Sequence, residues 1–285
     1  MVLVLPGLRH SANAKRRRRV RIGLTLEGDV WVDPATARAG AKPLFNRLTR
    51  GVGVTLEMET FADAEEALTK LKAKQLDFVA GSVMSYIKLS ERTKLVLVAR
   101  AQISGRHTTR LVLLARRDSG VKKLSQLKGK SISVPAGKSI HDIFLQVRVG
   151  RLGVKPARSF FSAIQKKRRQ QSAVLDVLMG EADSCLVSES VLKAMSALNP
   201  QIARQTVVVL KSESFSTFPL FARPDVPKDI FAMVKREALR LMNTKEGKQL
   251  FLIFKIDGMV PAREEDFRTA RALWKEHKAG AGSKR

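Results

Sequence analysis

Apolar residues in this chain fall into short compact runs that alternate with longer stretches of helical spacing, and the alternation continues almost from end to end. VRIGLT (20–25) is a compact run, and VGVTLEME (52–59) alternates with the period of a strand. ADAEEALTKLKAKQ (62–75) places Ala64, Ala67, Leu68 and Leu71 on one helical face. A strand is then predicted at LDFVAG (76–81), a short helix at VMSYIKLS (83–90) and a strand at KLVLVARA (94–101). Between the first two strands, the second part of PATARAGAKPLFNRLTR (34–50) reads as a helix closed by Gly51.

The grammar repeats in the next stretch. TRLVLLAR (109–116) is a strand, and SQLKGKSISVPAG (125–137) leads through a turn into another. Helices follow at SIHDIFLQVRVGRLG (139–153) and at SAVLDVLMG (172–180), the latter closed by Gly180. ADSCLVS (182–188) is a strand, ESVLKAMSALNP (189–200) a helix stopped near Pro200, TVVVLK (206–211) a strand, and FPLFARPD (218–225) a strand running into a loop. The last third is helical, and the final AGAGSKR reads as a disordered tail.

Strands and helices in alternation predict largely parallel sheets covered by helices. Two such α/β units describe a two-lobed molecule: an outer lobe of residues 20–107 plus 216–278, an inner lobe of 108–215, and two crossings near 105–115 and 212–222. A ligand of open α/β sheets binds beyond the carboxyl ends of the strands, so both sets of strand ends can face one cleft.

Charge narrows the partners. Fifty-three Lys and Arg against 26 Asp and Glu give a formal net charge of +27, a field that favours anions. A single tyrosine and no interleaving of basic and aromatic residues argue against a specific nucleic-acid surface. One cysteine, Cys185, excludes an internal disulfide and a cysteine-based zinc site. No metal or cofactor is expected. No apolar run approaches the roughly 18 residues of a spanning helix. At the N-terminus, MVLVLPGL precedes Ala12-Asn13-Ala14, a pattern signal peptidase favours, and Lys15 to Arg19 follow. Two readings of residues 1–19 stay open: the remnant of a signal peptide with its charged leader upstream of Met1, or a disordered basic tail.

Gly137-Lys138-Ser139 matches the end of a nucleotide loop, Gly-x-x-x-x-Gly-Lys-Ser/Thr. Five positions before Gly137 stands Ile132, so the loop is too short to wrap phosphates, and an ATPase is not expected. What remains is Lys138, Ser139 and His141 at the start of a helix, where free N–H groups and the helix dipole hold anions. The competing reading is a capping serine with two solvated neighbours. Ser82, after a strand, and Tyr86, one turn later, form a second candidate against a cap and a half-buried aromatic. Arg169, Gln170, Gln171 and Ser172, which precede or open a helix, form a third; the basic run Lys166 to Arg169 as a set reads as a solvated loop. Four histidines without a His-x-x-x-His or a recognisable Ser-His-Asp set give no enzyme.

Several stretches together resemble the periplasmic substrate-binding proteins of phosphate/phosphite/phosphonate ABC transporters, of the type II periplasmic-binding fold. The resemblance covers residues 20–275. It is carried by VRIGL, TFADAEEALTKLKAKQLDFVAGSVMSYI, RDSGVKKLSQLKGKSISVPAGKS, AVLDVLMGEADSCLVSE and the closing loop IDGMVPAREEDF. It implies a monomeric, exported, two-lobed clamp that captures a small oxyanion and delivers it to ABC permease subunits; a sensory protein of the same fold, with a kinase as partner, is the alternative. Carried over by position, the family's ligand residues fall on Ser139 and its neighbours, on Tyr86 and near Gln170. This chain departs from the family at the Ser-His ten residues before Gly180, where Gln170 stands, at the Ser/Thr-rich turn, which reads Gly-Lys-Ser-Ile-His, and at the aromatic near the first crossing, represented by His107 or Thr108.

Overall fold

The computed structural model describes residues 18–25, 39, 42, 54–137 and 139–282. Of the helix expected within 34–50 only Ala39 and Lys42 are described, both helical; its remaining residues and Lys138 lie outside the described residues. The described strands are β1 (Arg18–Thr25), β2 (Val54–Phe61), β3 (Phe78–Ala80), β4 (Val96–Gln102), β5 (Thr108–Thr109), β6 (Leu111–Arg116), β7 (Ser131–Pro135), β8 (Ala163–Lys167), β9 (Ser184–Ser188), β10 (Thr206–Lys211), β11 (Phe215–Ser216), β12 (Pro219–Ala222) and β13 (Gly258–Pro261). The helices are α1 (Ala64–Lys72), α2 (Val83–Ser90), α3 (Ile140–Gly150), α4 (Gln170–Met179), α5 (Glu189–Leu198), α6 (Pro200–Gln205), α7 (Lys228–Arg240), α8 (Lys245–Ile253) and α9 (Arg268–Gly282).

Two sheets organise the molecule, one in the order β13-β4-β12-β3-β1-β2 and one in the order β10-β6-β9-β7-β8. The chain leaves the first sheet after β4, enters the second through β5, and returns through β11. β5 and β11 pair with each other, Thr109 opposite Phe215 and Thr108 opposite Ser216, so the two crossings form a small antiparallel ribbon between the lobes. The expectation of largely parallel sheets is corrected here. β1 pairs parallel with β2 and β3, and β7 with β8 and β9, but β12 and β6 are antiparallel to both of their neighbours. Each of these two strands enters its sheet straight from a crossing, with no helix to turn the chain round, so it runs against the strands on either side.

Local chemistry explains the elements. In α1, Asp63 caps the helix by accepting from the N–H groups of Glu65 and Glu66 at 3.0 and 3.2 Å. Ala64, Ala67, Leu68 and Leu71 are buried, the face that the spacing predicts. Gly180 ends α4 with a φ of 79°, a conformation that glycine adopts without a Cβ penalty. Pro200 does not simply stop α5. It occupies the first turn of α6, capped by Asn199, whose side chain accepts from the Gln201 N–H at 3.0 Å.

Three segments differ from their reading as loop or tail. Lys166 and Lys167 belong to the edge strand β8, where Lys166 pairs with Asp142 and Lys167 with the buried Asp176 at 2.8 Å. The half-exposed edge shows too little hydrophobic alternation to read as a strand. Gly258–Pro261, within the closing loop, pairs antiparallel with β4. α9 continues to Gly282, and Lys155 Nζ donates to the Gly280 carbonyl at 3.3 Å, which satisfies an acceptor near the helix end.

Candidate functional site

Three helices begin where a strand of either lobe ends: α2 after β3, α3 after β7 and α5 after β9. Each passes from strand to helix through a serine, Ser82, Ser139 and Ser188, at the N-cap position. Between the lobes lies a cavity of about 310 Å³. The first lobe contributes Ser82, Val83 and Met84. The second contributes Ile140, Ser188, Glu189, Ser190, Lys193 and Ala194. The crossings contribute Ile103, Arg106, Thr108, Thr109 and Phe215 to Phe218. Hydroxyls and helix starts thus face one another across a partly apolar chamber, an arrangement suited to a small anion with an organic part.

The serines are held differently. Ser82 is buried, and its Oγ accepts from the Ser85 N–H at 2.9 Å while sharing a hydrogen bond of 2.9 Å with the Ser85 hydroxyl. Thr25 Oγ1 in turn donates to Ser85 Oγ at 3.1 Å, which ties this corner to β1. Ser188 donates its backbone N–H to Gln170 Oε1 at 2.6 Å, and its hydroxyl makes no capping bond. Ser139 also makes no capping bond; its Oγ lies 3.5 Å from His141 Nδ1. Glu189 brings a negative charge into the chamber, ion-paired with Lys211 at 2.8 Å and Lys193 at 3.3 Å. The hydrogen bond from Lys211 above all, and Lys193 after it, hold its carboxyl below the usual range against the opposing effect of burial. Arg106 and Lys193 are the cations that line the chamber among the described residues.

The structure therefore separates the candidates. Ser82 lines the chamber. Ser139 and His141 are fully buried behind it, and Gln170 is buried against Ser188. Ser172 is half-buried on α4 and is not part of the lining. Tyr86 points away from the chamber. Its ring packs on Phe221 and Phe267 at 5.2 and 5.0 Å between centroids, and its hydroxyl donates to Glu264 and accepts from Arg271 at 3.3 Å. Burial first, and then the Glu264 carboxylate, push its pKa well above the usual phenol. One turn of helix carries Tyr86 from the open end of α2 into the core under α9. Tyr86→Phe is accordingly expected to cost about 1–2 kcal/mol of stability in a urea titration and to leave oxyanion affinity at the wild-type value. A tenfold loss of affinity would return Tyr86 to the site.

The sequence reading passed over Ser188, Ser190 and Lys193. Their signal was present: LVSES has the same strand–serine–helix order as FVAGS and SVPAGKS. No group of His, Cys, Asp and Glu that could hold a metal is found among the described residues. Within that same stretch no helix is long and apolar enough to cross a membrane.

Comparison of structures supports the architecture. A Xanthomonas citri protein bound to chloride ion superposes with a TM-score of 0.74 at 17% identity, over 93% of this chain and 99% of the other. The same protein bound to ATP gives 0.73 at 14% identity, over 94% and 99%. PhnD1 from Prochlorococcus marinus in complex with methylphosphonate gives 0.69 at 13% identity, over 92% and 99%. A sequence comparison with curated proteins gives no match. The family described as "ABC transporter, phosphonate, periplasmic substrate-binding protein" matches residues 31–267, most of the chain. The chain belongs to this family of type II periplasmic solute-binding proteins, which bind a substrate for an ABC transporter.

Proposed function

We propose that the chain is an exported, monomeric solute receptor that closes its two lobes, residues 20–107 plus 216–278 and residues 108–215, on a small organic oxyanion of the phosphonate class, and hands it to ABC permease subunits. The observation that carries this reading is the meeting of Ser82 and Ser188, each at a helix start, across the interlobe chamber. Helix starts supply N–H donors and a positive dipole end, and hydroxyls add donors that an oxyanion can accept from. The apolar lining of Met84, Ile103, Ile140 and Phe215 suits the carbon substituent that separates a phosphonate from inorganic phosphate. The thin ribbon of β5 and β11 suits a hinge.

Calorimetry with methylphosphonate, inorganic phosphate and sulfate tests the reading. A hydrogen bond to a charged ligand contributes roughly 1.5–3 kcal/mol. Ser188→Ala is therefore expected to weaken methylphosphonate binding by about tenfold to a hundredfold, at about 1.4 kcal/mol per decade. Wild-type protein that binds none of the three anions, or Ser188→Ala binding as tightly as wild type, would rule the site out.

A further inference from the structure

Behind the chamber, His141 is fully buried between two serines that begin different helices. Its Nδ1 lies 3.5 Å from Ser139 Oγ and its Nε2 lies 3.5 Å from Ser188 Oγ. Both separations lie beyond the roughly 2.7–3.2 Å of a well-formed N–H···O bond, so each contact is a weak one. Of the three residues, only Ser188 also lines the chamber.

A neutral imidazole carries one N–H and one lone pair, so it treats the two hydroxyls oppositely: one must accept from the ring and the other must donate to it. An oxyanion only accepts. A serine facing it contributes when its proton points to the ligand, and repels when its lone pairs do. If Ser188 donated to His141, its proton would be turned inward and its lone pairs would face the anion. If Ser188 accepts from His141, its proton is left for the chamber. The Ser139 hydroxyl faces Nδ1 and can donate its proton to it.

We propose that His141 is a positioning residue held as the Nε2–H tautomer: Ser139 donates to Nδ1, Nε2–H donates to Ser188 Oγ, and Ser188 is thereby set as a donor toward the ligand. The ring contributes no ligand contact of its own. It fixes the polarity of a hydroxyl on the other helix, and so couples the starts of α3 and α5. The distances treat the two serines alike, so the choice of this tautomer, like its benefit to binding, rests on the oxyanion reading above, but the tautomer is measured without any ligand.

Two measurements separate the two. The ¹⁵N signals of the imidazole in labelled wild-type protein, correlated with its ring protons, are expected to show a protonated Nε2 and an unprotonated Nδ1. A ring protonated at Nδ1, alone or together with Nε2, overturns the proposal, whatever the protein binds. In calorimetry with methylphosphonate, His141→Leu, which keeps apolar volume and removes both nitrogens, is expected to weaken binding about tenfold. His141→Gln, whose amide N–H reaches toward the Nε2 position, is expected to stay within about threefold of wild type. Thermal denaturation confirms that each variant is folded, and if the leucine variant is not, the glutamine variant and the tautomer decide. Equal losses in both variants would make His141 a packing residue only, and no loss in His141→Leu would overturn the coupling. A wild type with the expected tautomer that binds no oxyanion would refute the site while leaving the polarity of the Ser139–His141–Ser188 set in place.

Discussion

Phe267→Ala is expected to destabilise the protein by about 3–5 kcal/mol, the usual range for removing a fully buried aromatic ring. Phe267 is 0% exposed and stands just before α9, its ring against Tyr86. A single connected apolar cluster runs from Val83, Met84 and Ile87 of the first lobe to Ile143, Phe144 and Val147 of the second, and Phe267, Ala270 and Leu273 belong to it. The ring is thus part of the packing that joins the lobes through the C-terminal helix. The polar contacts along α9 do less. Arg151 grips Glu276 at 2.7 and 2.8 Å, but both side chains are about half exposed, and exposed pairs of this kind contribute at most about 1 kcal/mol. A domain of this kind is stable by about 5–15 kcal/mol in all, so the loss of one ring would remove a large share. Denaturant titration measures it. A cost below about 1 kcal/mol would mean that the site collapses without a cavity and that α9 is seated by its edges.

The fold was readable because it is built from local signals. The face Ala64, Ala67, Leu68, Leu71, the capping Asp63 and the closing Gly180 act within a turn or two of chain, and the structure follows each of them. Strand direction is not local. β6 and β12 carry the same buried apolar character as a parallel strand, and only the route of the chain through the crossings makes them antiparallel. The site divides in the same way. Ser82 and Ser139 were visible as serines between strand and helix. For Tyr86, i,i+4 spacing fixes a helical face without saying which neighbour that face meets; Phe221 and Phe267, far along the chain, decide it. His141 was placed at a helix start correctly, but its burial between Ser139 and Ser188 depends on β7 and β9 lying side by side, a pairing of residues about fifty positions apart that periodicity does not register.

Gly81→Ala is expected to cost about 1–3 kcal/mol, as overpacking of a tight site does, and also to weaken oxyanion binding. Gly81 closes β3 and precedes Ser82. A Cβ there would overlap Thr25 Oγ1 outright and would lie 3.2 Å from Thr25 Cβ and 3.6 Å from Ser85 Cβ. Neither neighbour yields without consequence. Thr25 is fully buried and donates to the Ser85 hydroxyl, and Ser85 is bonded to Ser82 Oγ through both its N–H and its own hydroxyl. Moving the Gly81 backbone instead strains its N–H bond of 3.2 Å to the Pro219 carbonyl, which ties β3 to β12. Either adjustment passes to Ser82 within one or two contacts. Thr25→Ala removes the obstructing oxygen, so the pair Gly81→Ala with Thr25→Ala should be distinctly less unstable than the sum of the single changes, the non-additivity of residues in contact. Urea titration of the three variants gives the coupling, and calorimetry with methylphosphonate gives the effect on the site. Strict additivity would mean that Thr25 does not set the space at Gly81. Full affinity in a destabilised Gly81→Ala protein would mean that Ser82 keeps its place in the chamber independently of β1, with α2 alone holding it.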